Sequence, residues 1–176
     1  APTYNLEQLL NATTYYWRVR AINGVGSSDY STSCNFTTGN SITRTIQINS
    51  GWNMISLPLT DGDSLLTDVF PTAISDAFAY SSGSYQIKDT LRNGMGYWLK
   101  FSDAQSMMTA GTPNIIDTIE VTTGWNLIGS ISNPVLVSGI ISIPTGIISS
   151  DFFGYQNGYA VADTIEPAKA YWVKVS

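Results

Sequence analysis

Hydrophobic and polar positions alternate along most of this chain, in short runs separated by Gly, Asn, Asp and Ser. Such alternation predicts half-buried β-strands, because successive side chains of a strand point to opposite faces. In the first run Tyr15, Trp17, Val19 and Ala21 share one face, and Tyr16, Arg18 and Arg20 the other. Thr45–Asn49 alternates in the same way. Its partner strand is predicted at Trp52–Leu59, with Trp52 and Met54 on one face, Ile55 and Leu57 on the other. Ala77–Tyr80 and Tyr85–Ile87 flank Ser-Ser-Gly and predict a hairpin. Met95–Phe101 follows as a closing strand, and residues 102–116 read as a linking hairpin or loop. One stretch departs from the period of two. Apolar residues at 65, 66, 69 and 70, preceded by Asp61-Gly62-Asp63-Ser64 and ended by Pro71, predict a helix of one or two turns capped by Asp or Ser.

The larger pattern is a repeat. Gly51-Trp52-Asn53-Met54-Ile55 returns as Gly124-Trp125-Asn126-Leu127-Ile128, and Tyr97-Trp98-Leu99-Lys100 returns as Tyr171-Trp172-Val173-Lys174. Between these anchors Asp76–Tyr80 matches Asp151–Tyr155, Tyr85 matches Tyr159, and Asp117–Val121 matches the Thr45 strand. The copies differ in the middle. Gly139–Pro144 stands where the first copy has its helix, and its β-branched residues and Gly predict an extended or irregular segment there. Three regions follow: residues 1–39, a first repeat at 43–112 and a second at 117–176.

Composition narrows the setting. Apolar residues make up 43%, an ordinary globular share, but charged residues only 12%, about half the usual fraction. The remainder is rich in Ser, Thr, Asn, Gly, Tyr and Trp, which suits exposed β-structure. The net charge of −5 and the scattered Lys and Arg offer no basic run to neutralise phosphates, which argues against nucleic-acid binding. No apolar run has the length of a membrane-spanning helix. The opening Ala-Pro-Thr-Tyr lacks an initiator Met and a signal sequence, and reads as a fragment or a processed product. Cys34 stands alone, so no internal disulfide is expected and a small buried hydrophobe is.

Residues 1–39 resemble the C-terminal half of a fibronectin type III domain. Leu9, Tyr15, the alternating Trp17–Ala21, the Asn23-Gly24 turn and the final Thr37-Thr38 carry the resemblance. It implies strands near Thr3–Leu6, Thr14–Ala21 and Asn35–Thr38, with Tyr15 as a corner residue whose hydroxyl bonds to upstream backbone. Three strands of a seven-strand sandwich leave edges and half a core open, which invites association. Residues 43–176 resemble a module found near the C-termini of large secreted and cell-surface proteins of bacteria and archaea. That likeness rests on Gly-Trp-Asn…Leu-Pro and on the closing Gly-Tyr-Trp-hydrophobic-Lys. It implies location and company rather than an activity.

Candidate chemistry is sparse. The chain has no histidine, so neither a Ser-His or Cys-His arrangement nor a histidine metal site exists. Asp61 and Asp63 lack the further spaced oxygens of a calcium loop and read better as helix caps. The carboxylates show no spacing that pairs two of them across a cleft. The aromatic set is the remaining candidate. Its rings either form the core of each repeat, as Trp52 and Trp125 are expected to do, or stack on a ligand. The ligand-binding candidates are Tyr97, Trp98 and Tyr85 with their counterparts Tyr171, Trp172 and Tyr159.

The reading is an all-β, mainly antiparallel protein: a partial fibronectin-like sandwich and two homologous small β-units, with at most one short helix. The expected role is non-catalytic, with no cofactor: an extracellular interaction or spacer module of a bacterial surface or secreted protein, in adhesion or envelope attachment. Its partner would be a protein or glycan at the cell surface, with self-association through the incomplete N-terminal sandwich. The alternative is a carbohydrate-binding module accessory to a secreted enzyme.

Overall fold

The computed structural model describes residues 9–60 and 64–176. Over the described residues the chain is all-β with two short helical turns, and the strands pair antiparallel. It divides into two compact units between Ser41 and Ile42.

In the first unit β1 (Thr14–Trp17) pairs with β2 (Cys34–Thr37) as a two-stranded ribbon. Tyr15 stacks on Phe36 at 5.7 Å, and its hydroxyl accepts a hydrogen bond from the Leu10 backbone N–H at 2.8 Å. Arg18 and Arg20 both lie over the Tyr30 ring. The expected strand through Ala21 stops at Trp17, after which Val19 and Ala21 bond to Ser31 and Ser28 instead of to a ladder. Cys34, opposite the half-exposed Trp17 at the end of the ribbon, is exposed rather than buried. The strand expected at Thr3–Leu6 lies outside the described residues, as do Asp61 and Asp63.

The second unit contains β3 (Ile42–Ile48), β4 (Gly51–Ile55), β5 (Leu59–Thr60), β6 (Ser64–Leu65), α1 (Leu66–Val69), β7 (Ala77–Ser81), β8 (Ser84–Lys88), β9 (Thr90–Leu91), β10 (Tyr97–Phe101) and β11 (Gln105–Pro113). It continues with β12 (Gly124–Ile128), β13 (Val135–Leu136), a 3-10 turn (Val137–Gly139), β14 (Phe152–Tyr155), β15 (Tyr159–Ala162), β16 (Thr164–Ile165) and β17 (Tyr171–Val175). The duplication seen in sequence is a duplication of topology. One four-stranded sheet runs β4-β10-β7-β8 and the other β12-β17-β14-β15, so each closing strand is central and flanked by its Gly-Trp-Asn strand. The tight turn of the β7–β8 hairpin places Ser82 and Gly83 at φ of 53° and 79°, the left-handed pair that matches hairpin twist.

The Gly-Trp-Asn motif has a local structural job. Asn53 accepts from the Asn49 N–H at 2.9 Å and donates to the carbonyls of Asn49 and Gly51, while Gly51 takes a φ of 84°. Asn126 repeats all three bonds with Thr122 and Gly124, and Gly124 has a φ of 100°. The amide thus satisfies backbone groups that the turn would leave unpaired. Tyr97 and Tyr171 are equally structural: they are 1% and 3% exposed, and their hydroxyls accept from the Arg92 and Glu166 N–H groups, each at 2.9 Å.

Each sheet has a core face. Ile55, Ala77, Ala79, Tyr97, Leu99 and Phe101 meet Ile46 and Ile48 of β3, Phe70 after α1, and Leu91. Phe152, Ile165, Tyr171 and Val173 form the second core under Ile119, Val121, Val135, Val137 and Ile148.

Three expectations are corrected, and a fourth holds with an addition. β3 pairs with β11 over seven residues and not with β4, so residues 105–113 are a strand rather than a linking loop. Residues 117–121 pack on the core but form no strand, since the second half offers them no counterpart of β11 among the described residues. Helix α1 is a single turn with Leu65 at its N-cap and no side-chain cap, Ser64 being taken up in β6. Residues 140–144 are irregular as expected, and a 3-10 turn just before them, Val137–Gly139, stands in the place of α1: the Val137 N–H donates to Asp163 O as the Leu66 N–H does to Asp89 O.

Candidate functional site

The face of each sheet away from its core carries the large rings. In β7 the small Ala77 and Ala79 turn inward, while Phe78 and Tyr80 turn outward beside Trp98 and Trp52. β14 does the same with Phe153 and Tyr155. These two faces pack against each other around an approximate twofold axis, as in an isologous dimer whose subunits have been fused. Four backbone hydrogen bonds cross the seam as two matched pairs. The N–H groups of Ser56 and Gly129 donate to the carbonyls of Ala168 and Gly94, and those of Ala170 and Gly96 donate to Met54 and Leu127. Met54, Leu127, Ala170 and Trp172 fill the seam, and the Ser56 and Ser130 hydroxyls bond at 2.8 Å within it.

The close approach depends on missing side chains. A Cβ on Gly96 would lie 2.7 Å from Ala170 Cβ, and one on Gly129 would lie 2.8 Å from Met95 O.

Rings lock across the same axis with near-identical geometry. Tyr80 meets Trp172 at 4.8 Å and Tyr155 meets Trp98 at 4.8 Å, both edge to face. Tyr85–Trp172 and Tyr159–Trp98 both measure 6.4 Å. Edge-to-face pairs of this kind stabilise by about 0.5–1.5 kcal/mol each beyond their burial.

Two grooves flank the seam. One, of about 460 Å³, is lined by Tyr80, Tyr85, Trp125, Phe153, Tyr159 and Trp172. Its twofold mate, of about 510 Å³, is lined by Trp52, Phe78, Tyr85, Trp98, Tyr155 and Tyr159. Tyr85 and Tyr159 belong to both, so the grooves adjoin at these two rings. Both volumes lie in the range of small-molecule sites. Each groove takes its floor from one repeat and wall rings from the other.

The ligand-binding candidates divide. Tyr85 and Tyr159 stand 52% and 59% exposed in the grooves, and Trp98 and Trp172 form their inner walls. Tyr97 and Tyr171 lie on the opposite faces of their strands, in the cores. Trp52 and Trp125, expected in the core, are instead 42% and 43% exposed. The seam covers Met54 and Leu127, two residues further along each strand, and ends before it reaches these rings. Phe78 and Phe153 escaped the sequence reading altogether. The signal for them was present in β7, where the bulky members of an alternating strand sit opposite alanines.

The groove carries few ionisable groups. Burial chiefly pushes the Tyr85 phenol above its usual range, with neighbouring Tyr159 and Tyr80 adding to the shift and a Trp98 interaction opposing it. At neutral pH the hydroxyl is therefore a neutral donor and acceptor. Lys100 stands directly across from Trp52 in the ladder, its ammonium 5.9 Å from the ring centroid, and Lys174 stands across from Trp125. Among the described residues no cluster of His, Cys, Asp and Glu is arranged to hold a metal ion, and no helix is long and apolar enough to cross a membrane.

No family model matches the chain, and neither the curated proteins nor the solved structures yield a significant match.

Proposed function

We propose that residues 42–176 act as a non-catalytic, glycan-directed interaction module of an extracellular protein, with the paired grooves as the binding surface. The observation that carries this reading is the presence of two equivalent grooves lined wholly by Trp, Tyr and Phe, with Trp52, Tyr85, Trp125 and Tyr159 substantially open to solvent. Exposed ring faces bind the apolar faces of sugar rings, and Tyr hydroxyls and Trp N–H groups supply hydrogen bonds at the edges. Rings held by a locked seam lose little entropy when a ligand docks. The tyrosine phenols are the only titratable groups in the lining, with no carboxylate, thiol, imidazole or amine beside them to activate a nucleophile, which suits retention of a ligand.

A role in adhesion or envelope attachment at a bacterial surface, or as an accessory to a secreted enzyme, follows from such binding. The open apolar side chains of the first unit, Trp17, Val19 and Ile22, favour self-association through that unit. Sedimentation over a concentration series would read it as a rising mass.

The test is a glycan array probed with the whole chain and with a Trp52→Ala/Trp125→Ala variant. Binding that falls about tenfold or more in the variant supports the reading. Binding unchanged by loss of both rings removes the grooves from the account, and a blank array removes the glycan.

A further inference from the structure

The charge on the groove face is unlike the charge on the rest of the chain. The protein has 13 acidic and 8 basic residues, yet the eight strands of the two four-stranded sheets contain no Asp or Glu. Their only charged residues are Lys88, Lys100 and Lys174. Lys88 pairs with Ala77 and so lies on the core side of its sheet. Lys100 and Lys174 lie on the groove side, each directly opposite the exposed Trp of its own groove. The acids nearest in sequence, Asp76, Asp89, Asp103, Asp151 and Asp163, are placed in the connections rather than on the strands.

Each half-site thus repeats one pairing, an exposed Trp directly opposite an exposed Lys in the ladder, and at Trp52 the ammonium lies 5.9 Å from the ring centroid. A neutral sugar would use the indole and offer the lysine only hydroxyl acceptors. A sugar ring bearing a carboxylate would use both, its apolar face against Trp52 or Trp125 and its anion toward Lys100 or Lys174. The duplication adds a second constraint. The half-sites are related by an approximate twofold axis and adjoin at Tyr85 and Tyr159, so one oligomer long enough to reach both would gain its second contact by effective concentration.

We propose, resting on the glycan reading above, that the ligand is a uronate-bearing oligosaccharide spanning both grooves, with Trp52–Lys100 and Trp125–Lys174 as its two anchoring pairs. Lysine is a point-charge partner here, so the recognition is for charge beside a ring and not for a planar fork of two hydrogen bonds.

The test titrates the whole chain with oligomers of galacturonate, glucuronate and mannuronate, each against the neutral oligomer of the parent sugar at equal length. Calorimetry is run at low salt and at about 0.5 M salt, where exposed charge pairs are screened. At least one uronate oligomer is expected to bind more tightly than its neutral counterpart and to lose that advantage at high salt. Lys100→Ala and Lys174→Ala should each weaken it by about three- to tenfold, and Lys88→Ala should leave it unchanged. Both lysines are exposed, and circular dichroism of the variants checks that the fold survives. Neutral oligomers binding as tightly, with sensitivity to Trp52→Ala but none to the lysine changes, would overturn the acidic-ligand inference and leave the glycan reading standing. No binding by any oligosaccharide would overturn both, as would preferential capture of an acidic tyrosine-containing peptide included as a competitor.

Discussion

Gly129→Ala is a small change aimed at the seam on which both grooves depend. The new methyl would sit 2.8 Å from Met95 O, 3.0 Å from Gly94 C and 3.0 Å from Met95 N. Favourable carbon contacts lie near 3.5–4.0 Å, so three overlaps of half an ångström or more arise at once. All three partners are backbone atoms of the other repeat. No side-chain rotation relieves them, and the halves must part locally, weakening the Gly129 N–H to Gly94 O bond of 2.9 Å. Overpacking typically costs about 1–3 kcal/mol, and contacts with backbone alone place this case in the upper half. The expected loss is about 2–3 kcal/mol, or a Tm lower by roughly 6–15 °C.

The control is Gly139→Ala, at a glycine with no heavy atom near its Cβ position. It should be neutral or slightly stabilising. Urea melts followed by tryptophan fluorescence give the stability difference. Near-ultraviolet circular dichroism reports the ring pairs that cross the seam, which should weaken in the first variant only. Equal stability and equal ring spectra in the two variants would refute the close approach on which this reasoning rests.

Other expectations follow from single interactions. Asn126→Asp removes both amide donors and sets a carboxylate against the Thr122 and Gly124 carbonyls; denaturant melts should show a loss of about 2–3 kcal/mol, and a loss under 0.5 kcal/mol would count against the turn-holding role. Tyr171→Phe strands the Glu166 N–H and should cost about 1–2 kcal/mol, without altering ligand affinity because the ring lies in the core. Burial first, and then the neighbouring Glu166 carboxylate, raise the Tyr171 phenol above its ordinary value, with the Glu166 N–H bond opposing them, and Tyr85 is raised as well. The fold therefore favours the neutral phenols. Their contribution is fully present below the unfolded phenol pKa, about 10, and is lost as pH rises from there through the raised folded values. Thermal melts between pH 8 and 11 should be level at first and fall only in the upper part of that range, and a fall already complete by pH 9 would contradict the shifts. Finally, the exposed Cys34 should react fully with a thiol reagent under native conditions, whereas protection until unfolding would mean that this face is covered.

Much of the fold was legible because period-two alternation and a duplicated motif are both local signals. They placed the hairpin at Ser82-Gly83, the closing strands, and the correct two faces of the Trp52 strand. Pairing was less legible. Alternation tells a strand which face is apolar but not which neighbour it bonds, so β3 was matched to the adjacent β4 when its partner is β11, far along the chain. The site was half legible for a related reason. A duplicated Trp reads as core when each repeat is considered alone. Once two repeats share a seam, each sheet has two partly buried faces, and position along the strand decides whether a ring is sealed, like Met54, or left at the margin, like Trp52. The contrast of Ala77 and Ala79 with Phe78 and Tyr80 was the readable clue that the larger face pointed away from the first core.

The crossing of rings over the seam has a consequence for how such a protein can change. Neither groove is the property of one repeat: Tyr80, from the first copy, walls the groove whose floor is Trp125 and Phe153, and Tyr155 returns the favour to Trp52 and Phe78. The changes that accumulate in one copy are therefore divided between the floor of one groove and the wall of the other, and only at Tyr85 and Tyr159 does one substitution touch both. A pair of separate, identical chains would have to accept every change twice. Joined in one chain, the copies can drift apart, so that two pockets of common descent come to prefer different units of the same ligand.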